Sequence, residues 1–344
     1  MINYSILKKD NKKYLVIFLF FLFSNQVLSA SIRFKHIKPN QDYPNLLTRS
    51  IIQNNQGFLL LGTDAGLLKY NGYNLKPFLN KASDNNKINS VKKLFIDSRE
   101  ILWIGTRGEG LLRYDQEKVR VFEYELDSNN TISSNYISDI AEDSKGGLWI
   151  GTDKGLNYID KDLRISHFPD FINNNGPSFI TSILVLKTKK LLIGTKSGLL
   201  LFNIETETYN KISLKNEKNQ NIPKLIIYVL HKDNAGVIWI GTQYGVYKSN
   251  NKISGYQRLN SKLINFHVLS IASGENRVWI GTMSNGLFEF SKSDKKLRNF
   301  SYNPNKKHSL SDNSILSLYM DKAGLLWVST YYKGLNYIDT KALR

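Results

Sequence analysis

Polar and aromatic side chains recur at one place in this sequence, between a Gly-Thr or Ser-Thr pair and a following Gly-Leu or Gly-Val pair. The candidates with binding chemistry are Arg107, Glu109, Asp153, Lys196, Gln243, Tyr244, Asn285, Tyr331 and Tyr332. Tyrosine rings stack on sugar rings, polar groups beside them hydrogen-bond hydroxyls, and Arg or Lys holds a carboxylate such as that of a uronate. We therefore predict a ligand-binding rim built from these residues. The alternative is that they are solvated turn residues.

No catalytic constellation accompanies the rim. The chain has no cysteine, which excludes disulfides, thiolate metal sites and a Cys nucleophile. Its five histidines are scattered without ligand spacing, and no Gly-x-Ser-x-Gly elbow occurs. The Gly-rich stretch 105–110 lies between two predicted strands rather than before a helix, so it lacks the geometry of a phosphate loop. We predict no catalytic residue, no metal site and no cofactor.

The rim residues belong to a repeat. Its second predicted strand reads Trp-Ile-Gly-Thr at 103–106, 149–152, 239–242 and 279–282, with looser copies ending at Thr63, Thr195 and Thr330. The seven Gly or Ser positions are 62, 105, 151, 194, 241, 281 and 329, separated by 43, 46, 43, 47, 40 and 48 residues. Each of the first six units contains four short β-type segments, and no unit shows an apolar stripe of helical period. Four strands in each unit of about 40–50 residues are typical of a propeller blade.

The sequence predicts an all-β, seven-bladed β-propeller over residues 31–344, with four-stranded antiparallel blades. The seventh repeat has three predicted strands, and the segment 32–37 resembles a fourth strand, with Phe34 in the role of Phe122. We expect this N-terminal strand to complete the last blade and close the ring, which removes an open edge. The repeated Gly is expected to make room for a bulky side chain of the adjacent blade. The repeated aspartates Asp97, Asp143, Asp233 and Asp321 are interpreted as turn-forming residues.

The N-terminus is typical of a secretory signal peptide, assigned to residues 1–30. Four lysines precede an apolar run from Tyr14 to Phe23, and small residues lead to Ala30. Because ten apolar residues are too few to span a membrane, we expect cleavage near Ala30 and a periplasmic or secreted protein; an uncleaved membrane anchor is the alternative.

The net charge of +18 would attract acidic polysaccharide, anionic lipid or nucleic acid. No run of five or more basic residues appears, so lysines spread over solvated loops are the simpler interpretation. Nucleic acid is not predicted as a partner.

The pattern Asp-x-x-Gly-x-x-Trp-Ile-Gly-Thr, followed by Gly-Leu and Tyr-Asp, resembles the two-component regulator propeller repeat. The matches are clearest at 143–160 and 233–242, and 321–339 follows the pattern with Ser for Gly. The resemblance implies an extracytoplasmic sensor of the kind carried by hybrid histidine kinases or GGDEF diguanylate cyclases, some of which recognise glycan fragments. Members usually continue into an immunoglobulin-like domain, a membrane span and an effector. This sequence shows none of these, so we expect a detached sensor or a free-standing module.

We therefore predict a non-enzymatic, ligand-sensing propeller of a two-component-type system that binds an oligosaccharide or other small ligand. A membrane-bound histidine kinase or diguanylate cyclase is the expected partner. Two alternatives stay open at this point. One is a propeller hydrolase or lyase acting on polysaccharide, since the Asp turns resemble the Asp-box hairpins of sialidase-type propellers, although no arginine triad is recognisable. The other is a protein-interaction scaffold.

Overall fold

A computed structural model describes residues 32–37, 46–79, 88–116, 118–128, 130–168, 179–187, 189–215, 220–222, 224–250, 255–259 and 266–341. These residues form seven four-stranded antiparallel sheets, which are the blades of a β-propeller. The predicted fold class is confirmed. The predicted signal peptide, residues 1–30, lies outside the described residues. Within the described part of the chain, no helix has the length and apolar character needed to cross a bilayer.

The blades follow the chain, each running from its innermost strand outward. Strand β1 (Lys35–Ile37) precedes blade 1. Blade 1 consists of β2 (Thr48–Gln53), β3 (Leu59–Thr63), β4 (Gly66–Tyr70) and β5 (Leu75–Pro77). Blade 2 consists of β6 (Val91–Ile96), β7 (Leu102–Thr106), β8 (Leu111–Tyr114) and β9 (Val119–Phe122). Blade 3 consists of β10 (Ile137–Glu142), β11 (Leu148–Thr152), β12 (Gly155–Ile159) and β13 (Ile165–Phe168).

The remaining blades repeat this order. Blade 4 consists of β14 (Ile180–Leu186), β15 (Lys190–Thr195), β16 (Gly198–Asn203) and β17 (Thr208–Ile212). Blade 5 consists of β18 (Ile227–Lys232), β19 (Ile238–Thr242), β20 (Gly245–Ser249) and β21 (Tyr256–Arg258). Blade 6 consists of β22 (Val268–Ser273), β23 (Arg277–Thr282), β24 (Leu287–Ser291) and β25 (Leu297–Phe300). Blade 7 consists of β26 (Ile315–Met320), β27 (Leu325–Thr330), β28 (Leu335–Asp339) and, from the other end of the chain, β1.

The predicted closure by the N-terminal strand is confirmed. Strand β1 pairs antiparallel with β28, and His36 lies opposite Asn336. In blade 3 the equivalent pair is His167 and Asn157. Both histidines contact a backbone carbonyl of the loop that enters their own blade's innermost strand, at Ser309 for His36 and at Thr131 for His167. Strand β1 therefore occupies the position of the fourth strand in blade 7 and makes the same contacts.

The equivalence of Phe34 and Phe122 is wrong. In blade 2, Phe122 pairs with Leu111, the residue that follows the loop Gly. The corresponding residue of blade 7 is Leu335, and it pairs with Ile37 rather than with Phe34. Phe34 precedes the ladder and bonds through its backbone N–H to His308 O. Its ring is buried against Phe300 of blade 6, with centroids 6.0 Å apart. An aromatic residue in a short strand does not by itself reveal the register of that strand.

The apolar core is divided among seven clusters, each joining two neighbouring blades. The second strand of every blade is buried on both faces, as expected of a sheet covered on both sides. Stability therefore comes from the packing of blade on blade.

The repeated Gly is confirmed as a spacer between blades. A Cβ at Gly105 would lie 2.7 Å from Ile137 Cγ2, which belongs to the first residue of the next innermost strand. The same clash, at 2.6–2.8 Å, would occur between Gly62, 151, 194, 241 or 281 and the next blade. At the seam between blades 7 and 1 the pair is instead Ser329 and Thr48, and Ser329 Oγ donates to Thr48 O at 2.6 Å. A polar pair thus replaces the Gly–aliphatic pair where the ring closes.

The repeated aspartates form the turns between first and second strands, as predicted, and most of them also fix a tryptophan. Asp97 Oδ1 accepts the backbone N–H groups of Arg99 and Ile101, while Oδ2 accepts the indole N–H of Trp103 at 3.0 Å. Asp233 with Trp239 and Asp321 with Trp327 repeat this arrangement. In blade 4, where Leu192 replaces the Trp, Leu186 takes the register place of the Asp. In this blade both positions are therefore apolar.

Candidate functional site

The predicted rim loops are held by the Thr that every repeat keeps. In all seven blades the Thr hydroxyl donates to the carbonyl of the Gly that ends the loop, at 2.7–2.9 Å. Its oxygen also accepts a backbone N–H inside the loop, as from Glu109 or Tyr244. We call this pair of hydrogen bonds the Thr brace. It explains why all seven repeats keep the Thr, including those in which the Trp or the Gly is replaced. The loops are therefore rigid platforms for the side chains they carry.

The first residue after each Thr lies nearest the axis of the ring. The backbone N–H of Arg107 donates to Ser90 O, that of Lys196 to Phe179 O, and that of Tyr331 to Ser314 O, at 2.9–3.2 Å. The accepting residues in these bonds immediately precede the innermost strand of the same blade. This position therefore lines the inner mouth of the ring, and the later loop positions lie farther out.

Each innermost strand carries a register shift between its first and third residues. A bulge of this kind adds one unpaired residue and re-aims its side chain. The seven bulge residues are Arg49, Lys92, Ser138, Thr181, Tyr228, Leu269 and Leu316. The polar and cationic members are concentrated in the first five blades.

Charged residues of blades 1 and 2 meet at the mouth. Arg49 donates two hydrogen bonds to the Asp64 carboxylate, at 2.6 and 2.9 Å. The Arg107 guanidinium lies 3.8 Å from the same carboxylate and 5.9 Å from the centroid of the Tyr136 ring. The hydrogen bonds from Arg49 hold the pKa of Asp64 below its usual value. One carboxylate is thus shared by two guanidinium groups, which leaves net positive charge.

Aromatic rings extend this group in both directions. The Tyr136 ring lies 5.3 Å from that of Phe179, and Lys196 Nζ lies 3.7 Å from the Phe179 centroid. On the other side, burial works to lower the pKa of Arg49, but Asp64 and the nearby Tyr136 and Tyr331 leave it raised. We call the resulting row, which runs from blade 7 to blade 4, the mouth arc. It consists of Tyr331, Arg49, Asp64, Arg107, Tyr136, Phe179 and Lys196.

Lys92 adds a cation behind the arc. It retains some solvent contact, yet burial lowers its pKa to about 8, and the charge of Arg49 acts in the same direction. The neighbouring Lys93 pairs with Asp139 at 2.7 Å, and Asp139 also accepts Ser182 Oγ and the N–H of Ile183. Arg49, Lys92, Lys93, Arg107 and Lys196 are thus five cations, against the three carboxylates Asp64, Asp139 and Asp153 of the neighbouring described residues. The mouth is suited to an anionic group.

The structure brings three of the nine predicted residues, Arg107, Lys196 and Tyr331, into the mouth arc. Glu109 instead holds the N–H and side-chain amide of Asn89 at 2.9 Å, and Gln243 donates to Lys224 O. The Asp153 Oδ1 atom is buried and has no hydrogen-bond partner among the described residues.

The other three predicted residues lie on the outer part of the loops. Tyr332 is 71% exposed and Tyr244 is 38% exposed, while the Asn285 carbonyl accepts the side-chain amide of Asn299. Among the described residues, no group of three His, Asp or Glu side chains is arranged to hold a metal ion.

Sequence reasoning missed Arg49, Lys92, Tyr136 and Phe179. All four lie within one residue of the aliphatic residue or Thr that begins an innermost strand. That alignment is visible in the repeats and could have singled them out. The bulge that sets Arg49 and Lys92 apart from ordinary strand residues has no comparable sequence signal.

A family model for the two-component regulator propeller matches residues 131–154 and 309–332. The two segments share one structural device. Ser133 N bonds Asn157 Oδ1 and Ser133 Oγ lies 2.9 Å from Thr152 Oγ1, and Ser311, Asn336 and Thr330 repeat the set. Both segments match the model of the two-component regulator propeller repeat. The resemblance inferred from the sequence is confirmed.

Several known proteins resemble the chain that carries these propeller repeats. It is 29% identical over 228 residues to histidine kinase P4 of Formosa agariphila, covering 59% of this chain and 16% of the kinase. The extracellular domain of a putative hybrid two-component system from B. thetaiotaomicron superposes with a TM-score of 0.75 at 21% identity, covering 89% of this chain and 42% of that domain. The chain thus spans less than half of either relative.

The same fold also occurs in an enzyme. Virginiamycin B lyase from Staphylococcus aureus superposes with a TM-score of 0.68 at 13% identity, covering 90% of this chain and 99% of the lyase. Likeness at this identity concerns the fold alone, since one fold hosts many functions.

Proposed function

We propose that this propeller is the extracytoplasmic ligand-binding part of a two-component-type signalling system, and that its ligand is an anionic oligosaccharide fragment. The mouth arc is the observation that carries the proposal. It combines aromatic rings with a surplus of cations on loops that the Thr brace holds rigid. Rigid aromatic and Arg side chains bind with little loss of conformational entropy.

The arc matches the chemistry of an acidic sugar. Arg107 shares the Asp64 carboxylate from 3.8 Å, so most of its hydrogen-bonding capacity remains for a ligand carboxylate or sulfate. The rings of Tyr136 and Phe179 offer apolar faces beside it. In this proposal Lys196 and Lys92 add electrostatic attraction without fixed geometry.

Signalling is proposed from the relatives. The propeller repeats and the similarity to a histidine kinase support a membrane-bound kinase as the partner or effector. The superposition on extracellular sensor domains supports a periplasmic or extracellular location, reached through the predicted signal peptide. In this role the propeller binds its ligand and leaves it unchanged.

The test is calorimetric titration with oligogalacturonate and alginate hexasaccharides, with the neutral cellohexaose for comparison. The acidic oligosaccharides should bind, and the Arg107→Ala variant should bind them at least about tenfold more weakly, since a charge-assisted hydrogen bond contributes about 1.5–3 kcal/mol. The control is Arg120→Ala, which removes an exposed arginine from the outermost strand of blade 2.

Equal weakening by the two variants, or equal binding of neutral and acidic oligosaccharides, would refute the mouth arc as the site. Chromatography of the same mixtures tests the enzymatic alternative. We expect the oligosaccharides to remain unchanged, whereas shortened or unsaturated products that accumulate with time would identify a hydrolase or lyase.

A further inference from the structure

Blade 6 lacks the carboxylate that fixes the tryptophan in blades 2, 5 and 7. In blade 2, Trp103 pairs with Phe95 of the neighbouring strand, and Asp97 lies two residues after Phe95. The partner of Trp279 is Ala272, so the same place in blade 6 is Gly274. The blade 6 turn is one residue shorter, since Gly274 N bonds Arg277 O where Asp97 N bonds Ile101 O. A glycine therefore occupies the position of the aspartate.

The indole N–H of Trp279 has no hydrogen-bond partner among the described residues, although the side chain is fully buried. The equivalent N–H donates to an aspartate at 3.0 Å in blades 2 and 5 and at 2.8 Å in blade 7. Trp149 also lacks a partner, but rings of Tyr158, Phe168 and Phe202 surround it at 4.6–5.8 Å. An unpaired buried donor is unfavourable, and in Trp279 an acceptor is missing from a defined place.

Open space lies beside Gly274, the residue that occupies the position of the aspartate. A cavity of about 470 Å³ between blades 6 and 7 is lined by Gly274, Trp279, Met320 and neighbouring turn residues. A Cβ built on Gly274 would have Met320 Cε, 4.0 Å away, as its nearest neighbour. The volume is in the range of small-molecule pockets, and an indole, a thioether and polar turn groups line it.

The charge around the cavity favours an anion. Arg277, Lys322 and Lys341 line it, together with Glu275 and Asp321. Asp321 is committed to its own turn and to Trp327. Arg277 and Arg298 both pair with the buried carboxylate of Glu289, at 2.8 and 2.9 Å, so this group leaves the net charge around the cavity at one positive charge.

We propose that this cavity is a second ligand site, which binds a small carboxylate-bearing molecule through the indole N–H of Trp279. The ligand carboxylate takes the place that aspartate holds in blades 2, 5 and 7. The cavity opens at the turns between first and second strands, the opposite end of the strands from the mouth arc. It is therefore independent of the proposed oligosaccharide site.

The test follows the five indole N–H signals in the ¹H–¹⁵N spectrum of the whole protein, with Trp279 assigned through Trp279→Phe. Titration with acetate should move the Trp279 signal downfield in a saturable way. The signals of Trp103, Trp239 and Trp327, whose N–H groups already face aspartates, should not respond. Acetamide and chloride serve as the neutral and the simple-anion probes and should have no saturable effect.

Gly274→Asp should supply the carboxylate from the protein itself. Its Trp279 signal should already lie downfield without acetate and should not move on titration, while the other four indole signals report that the fold is intact. Met320→Phe narrows the cavity without changing the turn and should reduce the acetate response. Ser284→Asp adds the same charge at the mouth end and should leave it unchanged.

A Trp279 signal that ignores acetate, follows chloride equally, or still titrates in Gly274→Asp would overturn the proposal. Retention of the response in Arg107→Ala would show that the two sites are separate.

Discussion

Lys92 is a residue whose place in the ring costs stability. Burial lowers its pKa to about 8, and the charges of Arg49, Lys93 and Arg107 act in the same direction, while Asp139 opposes them. No repeat requires a lysine here, because the other bulge residues include Ser138, Thr181 and Leu269. A cation kept where it is unfavourable is typical of a binding site rather than of a structural core.

Replacing Lys92 by Met should stabilise the protein and alter its pH dependence. The folded pKa of about 8 lies below the value of 10.5 in the unfolded chain, so the unfolded state binds more protons between these two pH values. The unfolding free energy of the parent should therefore rise between about pH 8 and 10.5, and below that window Lys92 should destabilise the protein by an amount that no longer changes with pH.

In Lys92→Met this rise should be reduced, with a gain on the order of 1 kcal/mol at pH 7. Urea denaturation at several pH values measures both effects, with the exposed Lys76→Met as control. A Lys92→Met curve parallel to that of the parent would contradict the assignment. The same variant should bind an acidic oligosaccharide more weakly, so stability and function change in opposite directions.

At the scale of the strand, the second strand of one blade packs closely against the first strand of the next because the glycine between them has no Cβ. Six of the seven interfaces use Gly against Val or Ile, and the seventh uses Ser329 against Thr48. A carbon 2.6–2.8 Å from another carbon is far inside normal contact distance, so any side chain on the Gly must displace a strand. This single contact fixes the approach of neighbouring blades.

Gly105→Ala should therefore destabilise the protein by about 1–3 kcal/mol, because its Cβ meets Ile137 Cγ2 and Cβ at 2.7 and 2.9 Å. Ile137→Ala removes Cγ2 and leaves a cavity, which is destabilising by about 2–5 kcal/mol. The double variant should be more stable than the sum of the two losses predicts, since Ile137→Ala removes the Cγ2 contact, although the Cβ contact at 2.9 Å remains, and the added methyl group fills part of the cavity. Strict additivity in a denaturation cycle would be evidence against the spacer role.

The parts of each strand that repeat were predictable from the sequence, and the exceptions were not. Thr106 and its six counterparts revealed the second strand, and the Gly of each repeat was correctly expected to face a bulky neighbour. Phe34 was misplaced because a three-residue strand allows several registers, and only the pairing of Ile37 with Leu335 decides among them. The bulge at Lys92 was not predicted, although every innermost strand carries one, because the seven bulge positions share no residue type.

At the scale of the whole molecule, the ring is closed by strand pairing rather than by a covalent bond, as the chain has no cysteine. Six interfaces join blades that are consecutive in the chain, and the seventh joins blade 7 to blade 1. Without β1, blade 7 would present β28 as an unpaired edge. Such an edge is a template for pairing with another chain.

Removing residues 1–37 should therefore open this edge and promote self-association, whereas removing residues 1–31 should not. The longer truncation deletes β1 and Phe34, whose burial against Phe300 joins the N-terminal segment to blade 6. Loss of a buried Phe side chain alone is destabilising by about 3–5 kcal/mol. Size-exclusion chromatography with light scattering should show a larger mass for the longer truncation, and thermal unfolding should show a lower Tm. Equal mass and Tm for the two truncations would mean that β1 adds nothing to closure, and that blade packing alone holds the ring.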